Sequence, residues 1–159
     1  MENNYKEIVK RLTLNNKTIS TMESCTGGGL VNAITNIEGA SEVLKYSAIT
    51  YSNQYKIKMG VDANVIDKYS VYSMETAKEM SKKISDFTNS DYGVGITGKL
   101  NRKDAHNLYG SDNLVYISVY DKENDKYHTY SIQVSKENRK ENKEEVISFI
   151  GSILLRVIN

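Results

Sequence analysis

The fold turns on one stretch, Thr18-Ile19-Ser20-Thr21-Met22-Glu23-Ser24-Cys25-Thr26-Gly27-Gly28-Gly29-Leu30. Thr18 to Met22 is β-branched and alternating, which predicts a strand. Glu23 to Gly29 is a glycine-rich turn, and Leu30 to Ile37 has the spacing of the helix it feeds, ended by Gly39-Ala40-Ser41. A strand passing through such a turn into a helix sets backbone N–H groups around a small space. That space can hold an anion or the oxyanion of a tetrahedral intermediate, with Ser24 and Cys25 as nucleophile candidates at its mouth. The same residues also fit a tight turn whose glycines only allow close helix–strand packing. The local pattern leaves both open.

Outward from this unit, Ile8, Val9 and Leu12 place a short amphipathic helix over Tyr5–Leu14. Tyr46 to Tyr51 reads as a second strand, with helical signal over Asn53–Met59 and Asp62–Tyr69. Ser73 is a plausible N-cap for a long helix to Thr88, with Ala77, Met80, Ile84 and Phe87 on one face. Tyr92–Thr97 is a buried strand. Residues 98–113 lack periodicity and read as a loop. Leu114–Tyr120 and Tyr127–Val134 are strands of a hairpin around Asp121-Lys122-Glu123-Asn124-Asp125. A helix from Glu137 to Val157 closes the chain. The order predicts a single three-layer α/β/α domain over 1–159, built on a mixed sheet.

Composition narrows the classes. The 159 residues carry no proline where average usage would give roughly eight, so glycine, asparagine, aspartate and serine supply the turns. One cysteine allows no internal disulfide, which fits a reducing, cytoplasmic setting. No apolar run is long enough to span a membrane, and Met1-Glu2-Asn3-Asn4-Tyr5 lacks the features of a signal peptide. A net charge of +1 gives no global attraction to nucleic acid, so no direct nucleic-acid binding is expected.

Other motifs are weighed by context. Gly93-Val94-Gly95-Ile96-Thr97-Gly98-Lys99-Leu100 matches both GxGxxG and GxxxxGK, but a helix precedes it, a polar loop follows, and Leu100 replaces the hydroxyl residue a magnesium site needs. Both matches read as accidental. Cys25 at a helix N-terminus fits a thiolate nucleophile; a small buried packing residue is the plainer reading, as are structural roles for His106 and His128. In Thr50-Tyr51-Ser52-Asn53-Gln54-Tyr55-Lys56, Lys56 falls in a first helical turn, where the dipole disfavours a cation. A desolvated lysine there can serve as base for a serine, with Tyr51 orienting it or relaying a proton. An ordinary surface lysine fits the pattern too. Arg139 and Lys143 share a helix face that can meet an anion or simply face water.

Glu23-Ser24-Cys25-Thr26-Gly27-Gly28, Gly39-Ala40-Ser41, Thr50-Tyr51-Ser52-Asn53-Gln54-Tyr55-Lys56 and Val71-Tyr72-Ser73 together resemble the CinA C-terminal domain family, the nicotinamide-nucleotide amidases. The likeness runs from Thr18 nearly to the end, in a stand-alone form. It implies hydrolysis of the carboxamide of nicotinamide mononucleotide, or a related pyridine nucleotide, to the carboxylate and ammonia, without cofactor or metal. By position it makes Ser24 the nucleophile, Lys56 the general base and Tyr51 a supporting hydroxyl. Thr26, from the same motif, would be one of the substrate-binding residues. Gly27 and Gly28 would supply amide donors, and Ser41, Thr97, Gly98 and Arg139 would line the nucleotide pocket. A homodimer is expected, from the resemblance and from the strand-edge hairpin. Where the family has T/S-G-I-A-G-P-x-G-G and then K-P-V-G, residues 97–110 are charged and bulky, with neither proline, and Lys143 stands where arginine is commoner. That loop motivates an alternative, a non-catalytic nucleotide-binding or competence/DNA-damage-associated regulatory module. A third reading makes Cys25 the nucleophile of a thiol hydrolase.

Overall fold

The computed structural model describes residues 1–101 and 111–159. Five strands form one sheet in the order β2-β1-β3-β4-β5: β1 (Ile19–Glu23), β2 (Leu44–Ile49), β3 (Tyr92–Gly98), β4 (Leu114–Asp121) and β5 (Lys126–Gln133). β1 runs parallel to both β2 and β3, while β3–β4 and β4–β5 pair antiparallel. The sheet is therefore mixed, with its parallel half at the glycine-rich turn.

Helices cover both faces. On one side α1 (Glu2–Leu14), α2 (Gly29–Thr35) and α6 (Arg139–Val157) bury Ile8, Leu12, Leu30, Ile34, Ile150 and Leu154 against Ile19, Val94, Ile96 and Ile117. On the other, α5 (Met74–Thr88) brings Met80 and Ile84 against Met22 and Ala48, beside α3 (Asn53–Lys58) and α4 (Ala63–Tyr69). This is the expected three-layer α/β/α arrangement.

The caps follow from local sequence. Ser73 accepts the Thr76 N–H at 3.1 Å, Asp62 that of Asn64 at 2.9 Å, and Asn138 that of Glu141 at 2.9 Å, each satisfying an otherwise orphaned helix donor. One packing expectation fails. Phe87 was placed with Ala77, Met80 and Ile84, yet it is 65% exposed. It lies in the last turn of α5, beside the sheet's β2 edge, where its ring meets Tyr46 at 5.4 Å between centroids.

The glycines of the overlapping motif have a packing role. A Cβ on Gly93 would sit 2.0 Å from the Ser81 carbonyl oxygen, and one on Gly95 2.2 Å from that of Ala77. These two positions let the α5 backbone lie directly on β3, and a Ser81–Ser118 hydroxyl contact at 2.9 Å ties α5 to the neighbouring β4. Gly95→Ala is expected to destabilise the fold by roughly 1–3 kcal/mol, as an overpacked core does. Urea unfolding midpoints check this; an unchanged midpoint would remove the close-packing role.

Candidate active site

The C-terminal ends of β1, β2 and β3 lie side by side, since Glu23 pairs with Ile49 and Met22 with Gly95. The chain leaves β1 through α2 on one face and returns from β2 through α5 on the other. Helices departing to opposite faces open a crevice at those strand ends, where ligands of open α/β sheets bind. Ser24 is the first residue beyond β1 and lies in this crevice.

The turn after it is built around Glu23. Its fully buried carboxylate accepts four hydrogen bonds: Thr26 Oγ1 at 2.7 Å, Thr21 Oγ1 at 3.3 Å, and the Leu30 and Val31 N–H groups at 2.9 Å each. The last two are donors of the first turn of α2, whose N-cap, Gly28, offers no side chain. Glu23 thus caps the helix from within the preceding strand, and its charge suits the positive end of the helix dipole. Gly27 and Gly28 have φ of +59° and +93°, backbone that other residues adopt at a cost. The Gly27 N–H bonds Ser24 O and that of Gly29 bonds Thr26 O. The α2 terminus expected to face a ligand is therefore largely spent inside the loop. Thr26, 1% exposed, is a strut of this turn.

Across the crevice, Ser52 caps α3 by accepting the Tyr55 N–H, and Lys56 points inward from the last turn of this six-residue helix rather than from its first. Lys56 is 1% exposed; its Nζ donates to Thr50 O at 2.6 Å and to Ser24 Oγ at 3.0 Å. Burial is the main influence on this amine and pulls its pKa down to about 8, with nearby Cys25 a weaker opposing influence. The surface-lysine reading fails on burial alone. Cys25 is buried, and burial pushes its thiol up to about 12, so it packs as a small apolar residue.

The remaining expected residues divide by position. Tyr51, 65% exposed, accepts a hydrogen bond from Arg139 Nη2 at 3.2 Å, so the start of α6 meets the end of β2 at the crevice. Thr97 and Gly98 end β3 at the same edge, but the Thr97 hydroxyl donates to Val71 O at 2.8 Å, and Gly98 sits tightly against Leu114. Ser41 is not brought there. It is exposed in the 3₁₀ turn Ala40–Glu42, just before β2, whose Leu44 pairs with Ile19 at the opposite end of the sheet. His128 is on the outer strand β5, away from Ser24, and His106 lies outside the described residues.

Three residues that the sequence reading left without a site role belong here. Glu23 stood in plain view as a carboxylate six residues ahead of a helix whose own cap is glycine. Lys99 is 4% exposed, with its Nζ 3.3 Å from Asp112 and 5.0 Å over the Tyr72 ring, a buried cation just beyond β3. Asn142, fully buried on α6, donates to Leu100 O and Lys136 O and accepts the Lys136 N–H, pinning the chain after β3 to α6. Lys143 Nζ lies 3.2 Å from where a Gly27 Cβ would be, so the second cation of α6 also meets the turn. A groove of about 430 Å³ between α1, α2 and α6 reaches Gly29 and Lys143 but none of Ser24, Tyr51 or Lys56. Among the described residues no His/Cys/Asp/Glu cluster has the makings of a metal site, and no helix is long and apolar enough to cross a membrane.

Residues 1–158 match the CinA C-terminal domain family. The chain belongs to that family. A Clostridium beijerinckii CinA relative described as competence-damage inducible is 40% identical over 119 residues, which is 74% of this chain and 29% of the relative. The chain thus spans less than a third of the length of that curated relative. Solved CinA-type structures share the fold: a competence or damage-inducible protein from Enterobacter asburiae superposes with TM-score 0.91 at 21% identity, over 99% of this chain and 98% of that one. CihA from Agrobacterium tumefaciens gives 0.88 at 24% identity, over 99% and 95%.

Removing the Glu23 carboxylate strands two helix amides and the Thr26 hydroxyl at once, while the Thr21 hydroxyl keeps Ser47 Oγ at 2.7 Å. Glu23→Ala is expected to cost at least about 2 kcal/mol of stability. Thr26→Val, which removes one donor, is expected to cost about 1 kcal/mol. Denaturant titration of both variants checks the order; a Thr26→Val loss equal to that of Glu23→Ala would contradict the shared-carboxylate account.

Proposed function

We propose that this CinA-type domain is a serine–lysine amidohydrolase that converts the carboxamide of nicotinamide mononucleotide, or a related pyridine nucleotide, to the carboxylate and ammonia. The contact that carries the reading is Lys56 Nζ at 3.0 Å from Ser24 Oγ, in a buried setting that lowers the lysine pKa to about 8. A lysine so placed is neutral in a useful fraction near neutral pH and can take the serine proton.

Ser24 Oγ attacks the carboxamide carbon as its proton passes to Lys56. The negative oxygen that forms is received by amides of the Ser24–Gly28 turn other than that of Gly27, which is already engaged with Ser24 O. The Lys56 ammonium then returns its proton to the departing nitrogen. The C–N bond breaks, ammonia leaves, and an acyl-enzyme ester remains on Ser24. Water, deprotonated by Lys56, hydrolyses that ester and releases the carboxylate. Arg139 and Lys143 stand at the crevice rim where the anionic end of a nucleotide can be held, Arg139 with Tyr51 as its partner.

The assay is ammonia release from nicotinamide mononucleotide. Ser24→Ala is expected to abolish turnover, Lys56→Ala to lower kcat by about 10²–10⁴-fold, and Cys25→Ala to retain most activity. Equal ammonia release from wild type and Ser24→Ala would defeat the reading. The pH profile has a definite sign. Lys56 must be neutral to act as base, so kcat/KM is expected to climb as pH rises through about 8 and to level off above it. A profile flat across that range would remove Lys56 from the base role.

A further inference from the structure

A protonated lysine has three N–H donors and no acceptor. Lys56 Nζ meets two acceptors among the described residues, Thr50 O at 2.6 Å and Ser24 Oγ at 3.0 Å. The side chain is 1% exposed, so solvent is not at hand to supply a third. A charge held out of water has to be fully bonded to be tolerated. One donor of the Lys56 ammonium is therefore short of a partner.

An acceptor in the converse position belongs to the residue whose carbonyl already holds Nζ. The Thr50 hydroxyl is buried and is the one buried side-chain oxygen or nitrogen among the described residues without a hydrogen bond. Buried hydroxyls nearly always find a partner, and an orphan costs stability. Strand alternation gives its direction. Ser20 meets Thr88 of α5, Met22 and Ala48 share a cluster with Met80 and Ile84, and Tyr46 meets Phe87, so these positions face α5. Glu23 and Ile49 face the other way, toward α2 and Gly28. The Thr50 N–H bonds Glu23 O at 2.8 Å, which carries the extended pairing one residue past β2. Ser24 and Thr50 thus continue the α5 side of the sheet, where Lys56 reaches Ser24 from α3.

We propose that Thr50 is a positioning residue for Lys56, its hydroxyl accepting the third N–H of the Lys56 ammonium while its carbonyl accepts another. Carbonyl and hydroxyl then fix two of the three N–H bonds, and the remaining one is left to face Ser24 and the departing nitrogen. That consequence rests on the amidohydrolase reading; the hydrogen bond itself does not. Other charges near the amine are engaged elsewhere. The Cys25 thiol, pushed up to about 12, is neutral. Glu23 spends its carboxylate on the opposite face, Arg139 bonds Tyr51, and Lys143 stands beside Gly27. Lys58 lies over the Tyr55 ring, Glu79 accepts the Asp62 N–H, and Lys99 pairs with Asp112.

The test compares Thr50→Val, which keeps the shape and loses the hydroxyl, with Thr50→Ser, which keeps the hydroxyl. NMR titration of the substrate-free protein with isotope-labelled lysine reads the Lys56 pKa, its resonance identified by loss in Lys56→Gln. An acceptor favours the charged form, so its removal lowers the pKa. Thr50→Val is expected to move it from about 8 down by about one further unit, the worth of one hydrogen bond to a charged group. Thr50→Ser should restore it. Urea unfolding carries the same sign: Thr50→Val should lose stability relative to wild type below the lysine pKa, and the difference should vanish above it, where the amine is neutral in both. A purely structural hydroxyl gives a difference that does not change with pH. In turnover, Thr50→Val should move the rise of kcat/KM to lower pH and lower the plateau of kcat by about tenfold. An unchanged Lys56 pKa, or a stability difference constant with pH, would overturn the proposal. Should Thr50→Val not fold, Thr50→Ala takes its place with the same expectations. The titration uses no substrate, so absence of ammonia release from nicotinamide mononucleotide would defeat the amidase reading and leave this one standing.

Discussion

A buried carboxylate holds the Ser24 turn together. Glu23 ends β1, receives the first amides of α2 and ties down Thr26, so strand, turn and helix share one anchor. A charge taken out of water must be fully bonded to be tolerated, and four donors meet that demand here. The same bonds hold Ser24 at the head of the turn. Across the crevice Lys56 is fixed by the Thr50 carbonyl. Two rigid supports on neighbouring parallel strands thus set the Ser24–Lys56 distance, and no loop closure is needed to form it.

Much of this was legible in the chain. Period-3.6 patterns marked α1 and α5, which bury one face against the sheet, while β3, buried on both faces, showed as a short apolar run. The Ser73 cap and the strand–turn–helix unit followed from side-chain chemistry. What the pattern missed depends on approach between distant segments. Gly93 and Gly95 looked like part of a phosphate motif, and only the α5 carbonyls at their backs give them a packing role. Phe87 kept the helical period of its buried neighbours, but the sheet ends beneath it. The resemblance made Lys56 the base of Ser24 and put Ser41 in the pocket lining; β2 runs the length of the sheet between them and separates the two.

The described part of the wall beyond β3 is firmly built. Lys99 is buried against Tyr72 and Asp112, and Asn142 fastens Leu100 to α6. The Ser24–Lys56 contact is built from other elements, the end of β1 and α3, so the two parts of the crevice rest on separate segments of the chain.

The Thr50 carbonyl has a stereochemical consequence. An amine that has lost its proton keeps two N–H bonds and one lone pair, disposed tetrahedrally. With one N–H committed to the Thr50 oxygen at 2.6 Å, rotation about the last carbon–nitrogen bond of Lys56 is no longer free. Only two settings remain for the lone pair, and Ser24 Oγ, at 3.0 Å, lies within its reach. A backbone oxygen that never changes its own charge state thereby sets the direction in which a proton can travel.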